Sequence, residues 1–261
     1  MRTRIVLALV PLILASCGGP QAANTAVIAA GTTVVDNGVV EYLVAESQFS
    51  DSLSVIAATS AEALTLLDQG AADLAIVHAP DRLAEFLRQN PQAQFATLFE
   101  SRFILVGPPD KAGLLDGLSA PEAFAKIASR GDTFVTRADG SGTYESESKV
   151  WAESGIDPTG SPWLTTTGQG MGFTLQVAVD RDAFIWVEEG TLEGSPLAAR
   201  LRTVELADAD AYPNTYVGVW YESGTSVADF VSWLGSPQGE SAIRSMNDAL
   251  FGRQVVIQTQ R

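Results

Sequence analysis

A single cysteine, Cys17, and a single histidine, His78, stand in a chain of 261 residues. One cysteine excludes a disulfide within the chain, and so small a Cys/His complement excludes a zinc site built from those residues. Cations are also scarce: 16 Lys and Arg face 31 Asp and Glu, a formal net charge of −15. That balance argues against nucleic acid, which demands a basic surface, and against a protein held on anionic lipid by charge. No GxxxxGK[ST] phosphate loop occurs. The amino-terminal apolar run, IVLALVPLIL at residues 5–14, falls well short of the ~20 residues that span a bilayer.

That run has a different use. Arg2 and Arg4 precede it and Leu14-Ala15-Ser16-Cys17 follows it, which together read as a lipoprotein signal peptide over residues 1–16. Cys17 then stands where lipidation needs it, and Gly18 occupies the position where an inner-membrane retention signal carries aspartate. Residues 17–26 form the lipidated cysteine and a Gly/Pro/Ala/Asn tether. The protein is therefore expected at the periplasmic or cell surface, attached to a membrane only through its lipid. Loss of residues 1–16 removes two arginines and no acids, leaving 14 basic against 31 acidic residues and a net charge of −17.

The rest alternates strand-like and helix-like segments. Strands are expected at residues 26–30, 54–58, 72–78, 103–107, 132–135, 184–187 and 216–221. Helices are expected at 38–50, from Ser60 (in capping position) to Gln69, then at 81–89, 120–129, 144–154, 173–179, 227–234 and 239–246. This rhythm predicts an α/β fold with a mostly parallel sheet, whose ligand sits where loops leave the carboxyl ends of strands. Polar loops lie at such points: Thr32-Thr33, Ser60, Arg137 to Thr143, and Thr165 to Gly172. The five tryptophans are read as core or hinge packing.

RADGSGT, residues 137–143, is the richest segment, with one fixed cation, two hydroxyls, two glycines and a carboxylate. Glycines allow close approach of the backbone. The first turn of the following helix offers free N–H groups to an anion, and Arg137 adds a planar fork. Nucleophilic catalysis fits less well, because a nucleophile elbow places glycine two residues to each side of serine, where Ser141 has Asp139 and Thr143. His78, after a buried strand, is read as structural. No metal site or cofactor is expected, and no enzymatic activity.

Taken together, ADLAIVHAP (72–80), FILVGP (103–108), RADGSGTYE (137–145), ESGIDPTGSPW (153–163), TTGQGMGFTL (166–175) and FVSWLGSPQGESAI (230–243) resemble, in order and spacing, the tungstate-specific solute-binding proteins of ABC importers. The resemblance covers nearly the whole chain after the tether. It implies the periplasmic-binding-protein type II fold: two α/β lobes, two crossovers and a ligand cleft between the lobes. Lobe 1 would comprise residues 27–107 and most of 208–261, and lobe 2 residues 108–207. It also implies a bound tungstate or similar tetrahedral oxyanion, an ABC permease as partner, and a monomer. Phosphate or molybdate remain alternative ligands. An oxyanion-sensing lipoprotein without transport, or a phosphoester or sulfoester hydrolase, are the alternatives of other classes.

The resemblance implies ligand donors at Thr32, Thr33, Ser60, Arg137, Ser141, Gly142, Thr143, Gly168, Gln169, Gly170 and Met171. The sequence departs from the family pattern where paired arginines are expected and Phe95 and Ala96 stand. Arg102 is a candidate to restore that charge to the cleft. Asp139 has two readings: turned inward it would accept a proton from phosphate and repel a dianion, and turned onto backbone N–H groups it would be neutral to selectivity.

Overall fold

The computed structural model describes residues 25–222 and 226–259, so the expected signal peptide, Cys17 and the expected tether up to residue 24 lie outside the described residues. Strand β1 (Ala26–Gly31) runs directly into helix α1 (Thr32–Asp36) and then α2 (Val39–Glu46). β2 (Leu53–Ala58) feeds α3 (Ser60–Asp68), and β3 (Leu74–Val77) feeds α4 (Pro80–Gln89). The long β4 (Gln94–Gly107) leads to α5 (Pro109–Ala112) and α6 (Ala120–Arg130). Next come β5 (Phe134–Thr136), α7 (Gly142–Ser154), β6 (Leu164–Thr166), α8 (Met171–Asp180), β7 (Phe184–Glu188), α9 (Glu189–Glu193) and β8 (Arg202–Thr203). β9 (Pro213–Trp220) returns the chain, and α10 (Ser226–Leu234) and α11 (Pro237–Leu250) follow.

Two half-sheets share one strand. The first has the order β2-β1-β3-β9-β4, and the second runs β4-β7-β5-β6, with β8 also paired to β4. The amino-terminal part of β4, Gln94 to Arg102, pairs with β9, whereas Phe103 to Val106 pair with β7. β4 thus carries the chain from one half-sheet to the other.

Alternation along the strands builds a core on each face. Ile28 and Ala30 of β1 join Leu74 and Ile76 under α2, α10 and α11, while Ala29, Ala75 and Val77 face α3 and α4. In the second half, Phe103 and Leu105 pack with Phe134 and Trp186 against α6 and α7. Ile104 and Val106 pack with Val135 and Ile185 against α8. The α/β class expected from the sequence is the observed one.

Three local expectations need correction. The sheet is mixed, because β4 and β9 run antiparallel to their partners while β1-β2, β1-β3, β5-β6 and β5-β7 are parallel. Thr165 and Thr166, expected within a loop, join Leu164 in β6 through parallel pairing with β5. Ser60 is the first helical residue, not the cap. Thr59 is the cap, with its hydroxyl on the Glu62 N–H and the Glu62 carboxylate returning to the Thr59 N–H, a reciprocal capping box.

Candidate functional site

Four parallel-paired strands each end at the start of a helix: β1 at α1, β2 at α3, β5 at α7 and β6 at α8. The loops at these points are joined to one another. Arg137, after β5, donates from Nη2 to the Thr32 hydroxyl at 3.3 Å. Its carbonyl accepts the Gly168 N–H at 2.9 Å, which ties the α7 loop to the α8 loop. A methyl group at Gly140 would lie 3.2 Å from Ala61 Cβ, at the start of α3. At Gly142 it would lie 2.1 Å from the His78 carbonyl oxygen, so only glycine lets α7 start that close to the end of β3.

Arg137 is the central cation. Its side chain is 2% exposed, and its Nε and Nη2 donate to Asp139 Oδ2 at 2.9 and 2.7 Å. Asp139 Oδ1 accepts both the N–H and the hydroxyl of Ser141. Ala138, between them, holds a left-handed backbone at φ 50°, a strained conformation for an alanine. Asp139 is therefore folded onto its own loop, on Arg137 and the Ser141 N–H.

Ser141 caps α7 by accepting the Tyr144 N–H at 3.3 Å. Three buried polar atoms at the end of β5 and the start of α7 have no hydrogen-bond partner among the described residues: Thr136 Oγ1, Arg137 Nη1 and Thr143 Oγ1. Such orphans are rare in native interiors because each costs its desolvation. The first N–H groups of α7 add to them, with the positive end of the helix dipole. One turn along α7 from Thr143, burial pushes the Glu147 carboxyl up to about 8. It is thus mainly neutral at pH 7 and adds little negative charge behind the helix start.

The other expected residues divide. Thr33 is fully buried, with its hydroxyl 3.1 Å from the Tyr216 hydroxyl. Ser60, also fully buried, accepts the His78 N–H at 3.3 Å. Gly168 takes the left-handed backbone, φ 61°, that turns the chain into α8. Gly170 stands before α8, and its own N–H with those of Met171 and Gly172 finds no acceptor among the described residues. The Met171 side chain belongs to the core with Leu175 and Ile185, so only its N–H is offered. The Gln169 side chain is exposed. Arg102 is not turned to this corner: its Nε and Nη2 are spent on Glu189 at 2.8 and 2.6 Å, and Arg253 shares the same carboxylate. A half-exposed arginine on strand β4 meets a carboxylate at the start of α9.

Reading the sequence did not single out Asn214, Tyr216, Ser101 or Glu188, which lie buried behind Thr33. The available signal was polarity inside buried strands: Asn214 and Tyr216 in PNTYVGVW, and Glu188 closing FIWVE. A separate groove of about 970 Å³ is lined by Glu46, Asp229, Trp233 and several serines. It holds two carboxylates and no cation, so it does not suit an anion.

Among known proteins, the model of the PBP superfamily domain matches residues 18–238. A putative ABC transporter anion-binding protein of Haloferax volcanii is 34% identical over 167 residues, 63% of this chain and 48% of that protein. The tungstate-binding protein TupA of Peptoclostridium acidaminophilum is 31% identical over 176 residues, 66% of this chain and 61% of that protein. The chain thus spans about half to three-fifths of the length of these curated relatives. The solved tungstate-binding protein TupA from Desulfovibrio alaskensis superposes with a TM-score of 0.72 at 25% identity, covering 92% of this chain and 100% of that one.

Proposed function

The chain belongs to the periplasmic-binding-protein superfamily, and we propose that it captures a tetrahedral oxyanion, tungstate before others, and delivers it to an ABC importer. The observation that carries this reading is the pair of orphaned polar atoms, Arg137 Nη1 and Thr143 Oγ1, buried at the start of α7. A ligand rich in acceptors and lacking protons satisfies them. Tungstate is such a ligand, with four oxygens and no hydroxyl at neutral pH. The hydroxyls of Thr32, Thr33 and Ser60 and the N–H groups of Gly142, Gly170 and Met171 complete the seat, whereas the donors of Ser141 are spent on Asp139 and the Gly168 N–H on the Arg137 carbonyl.

Capture works by many donors and little net charge. Asp139 already balances Arg137, so the ligand charge is stabilised by hydrogen bonds and helix starts, each charge-assisted bond contributing ~1.5–3 kcal/mol. Because Asp139 faces its own loop, its carboxylate is not turned to accept a ligand proton. The reading includes a Cys17 lipid anchor and a monomer outside the cytoplasm. It further includes closure of residues 108–207 against 27–107 and 208–261 as the signal to the permease, and binding without turnover.

Calorimetric titration of the chain from Gly18 onward against tungstate, molybdate, sulfate and phosphate at equal ionic strength tests it. Tungstate should bind at least tenfold more tightly than phosphate, ~1.4 kcal/mol. Phosphate binding tighter would transfer the assignment to phosphate capture. Absence of binding to all four would remove the oxyanion function.

A further inference from the structure

Behind Thr33 runs a line of buried polar side chains. Thr33 Oγ1 lies 3.1 Å from Tyr216 Oη. Asn214 Nδ2 donates to Tyr216 Oη at 2.8 Å and to Ser101 Oγ at 3.3 Å. Ser101 Oγ in turn donates to Glu188 Oε1 at 2.6 Å. The line passes through α1, β9, β4 and β7, and so through both half-sheets. Glu188 Oε2 accepts the Thr191 N–H at 2.8 Å, the Thr191 hydroxyl at 3.0 Å and, at 3.5 Å, the Asn37 amide. Asn214 Oδ1 meets His78 Nδ1 at 2.8 Å.

Each hydroxyl has one proton, so the line has a direction. Glu188 caps α9 through Oε2, which accepts the Thr191 N–H, and its Oε1 accepts the Ser101 hydroxyl, which makes it the acceptor at one end. Ser101 spends its proton on Glu188 and must receive one from Asn214. The Asn214 amide group therefore points to Ser101 and Tyr216, and its carbonyl accepts from His78. Burial keeps the His78 ring neutral by lowering its pKa to about 4. Tyr216, already accepting from Asn214, donates to Thr33. The proton of Thr33 itself then has no acceptor among the described residues.

We propose that Glu188 sets the direction of this hydrogen-bond line and thereby makes Thr33 a donor toward the bound anion. Glu188 is a positioning residue, acting through Ser101, Asn214 and Tyr216 on the selectivity of the seat. The inference rests on the oxyanion reading of the cleft. Glu188→Gln reverses the line at almost constant volume. The new amide oxygen must stay on the Thr191 N–H, which turns its NH₂ onto Ser101. Ser101 then donates to the Asn214 carbonyl, the Asn214 amide turns to His78, and Tyr216 donates to Asn214. Thr33 is left donating to Tyr216, with only lone pairs toward the ligand. That arrangement repels tungstate but accepts the proton of hydrogenphosphate.

The test titrates the wild type, Glu188→Gln, Tyr216→Phe and the double variant with sodium tungstate and with inorganic phosphate. Glu188→Gln should weaken tungstate ~10- to 100-fold, the worth of one charge-assisted hydrogen bond, and phosphate by less. The tungstate-to-phosphate preference should fall at least ~5-fold, and in the Tyr216→Phe background the same substitution should move it less than ~2-fold. An unchanged preference, a parallel loss for both anions, or a shift that survives in Tyr216→Phe overturns the proposal. Neutron diffraction from deuterated wild-type crystals judges the direction even where a variant does not fold. A Tyr216 deuteron aimed at Thr33 supports it, and one aimed at Asn214 overturns it. If the wild type binds neither anion, the cleft reading fails alone and the deuteron still decides the direction.

Discussion

Arg102 and Arg137 each grip a carboxylate with two guanidinium nitrogens, yet the two corners differ in what they leave over. Around Arg102 everything closes. Glu189 takes Nε and Nη2 of Arg102 and also Arg253 at 2.9 Å, and Arg253 reaches Glu193 at 2.6 Å. Two cations meet two anions, the arginines half-exposed and Glu189 buried between them. Around Arg137 both bonds fall on one oxygen of Asp139, whose other oxygen belongs to Ser141. The Nη1 edge is left buried and unpaired. The same pairing is complete in one place and unfinished in the other. Unspent hydrogen-bonding capacity in a buried corner, more than the presence of a cation, is what singles out the proposed seat.

The comparison breaks most sharply at Arg137. Arg137→Ala should weaken tungstate binding by ~100-fold or more, since removing one partner of a buried, hydrogen-bonded charge costs about 3 kcal/mol. Arg137→Lys should recover little, because an ammonium cannot reproduce the planar fork. Calorimetry checks both, with circular dichroism to show that the fold persists. Retention of wild-type affinity in Arg137→Ala would move the seat elsewhere.

Thr143→Val should give opposite signs in two measurements. Tungstate affinity should drop ~10-fold with the loss of one donor to a charged ligand. Without ligand, thermal stability should hold or rise, because an unpaired buried hydroxyl is replaced by a methyl group of equal size. A purely structural hydroxyl would lose stability and leave affinity unchanged.

The local character of this corner was legible in the sequence: glycines and hydroxyls before an amphipathic segment announce a helix start, and Arg137 lies within it. So were the strands whose apolar residues run unbroken, such as LAIV and FIWV. Less legible was β4 before Phe103. There Gln94, Phe95 and Thr97 are exposed, and pairing with β9, over a hundred residues away, makes the strand. Met171 shows the limit at single residues, since a run of glycines announced the loop but not that the Met171 side chain turns into the core. The line from Glu188 to Thr33 was illegible for the same reason. Its members come from four segments, and only the fold makes Asn214 and Tyr216 neighbours of Ser101.

A smaller test uses pH. Glu147 has its carboxyl raised by burial to about 8, against about 4.3 for a free glutamate. The stability contributed by the neutral acid is complete below the unfolded value and is lost as pH rises through about 8. Tungstate stays a dianion over this range, and Glu147 charging one turn from Thr143 should lower its affinity between about pH 7 and about pH 9. The decline should be a few-fold and should flatten in Glu147→Gln, as should the loss of thermal stability between about pH 4.3 and about pH 8. An identical profile in the variant would assign the decline to another group.

The smallest effect is expected at Arg102, and it sharpens the comparison from the other side. If a nearby arginine were enough to hold the anion, Arg102→Ala would cost affinity much as Arg137→Ala does. Its side chain is 44% exposed and committed to Glu189, and Glu189 keeps Arg253 as a second partner when Arg102 is gone. The substitution should therefore change tungstate affinity by less than ~2-fold and stability by no more than ~1 kcal/mol, the usual range for a solvent-screened pair. Added salt should shrink even that stability difference. A tenfold loss of affinity would mean that Arg102 leaves Glu189 when ligand arrives, and that the closed surface network is itself a resting state.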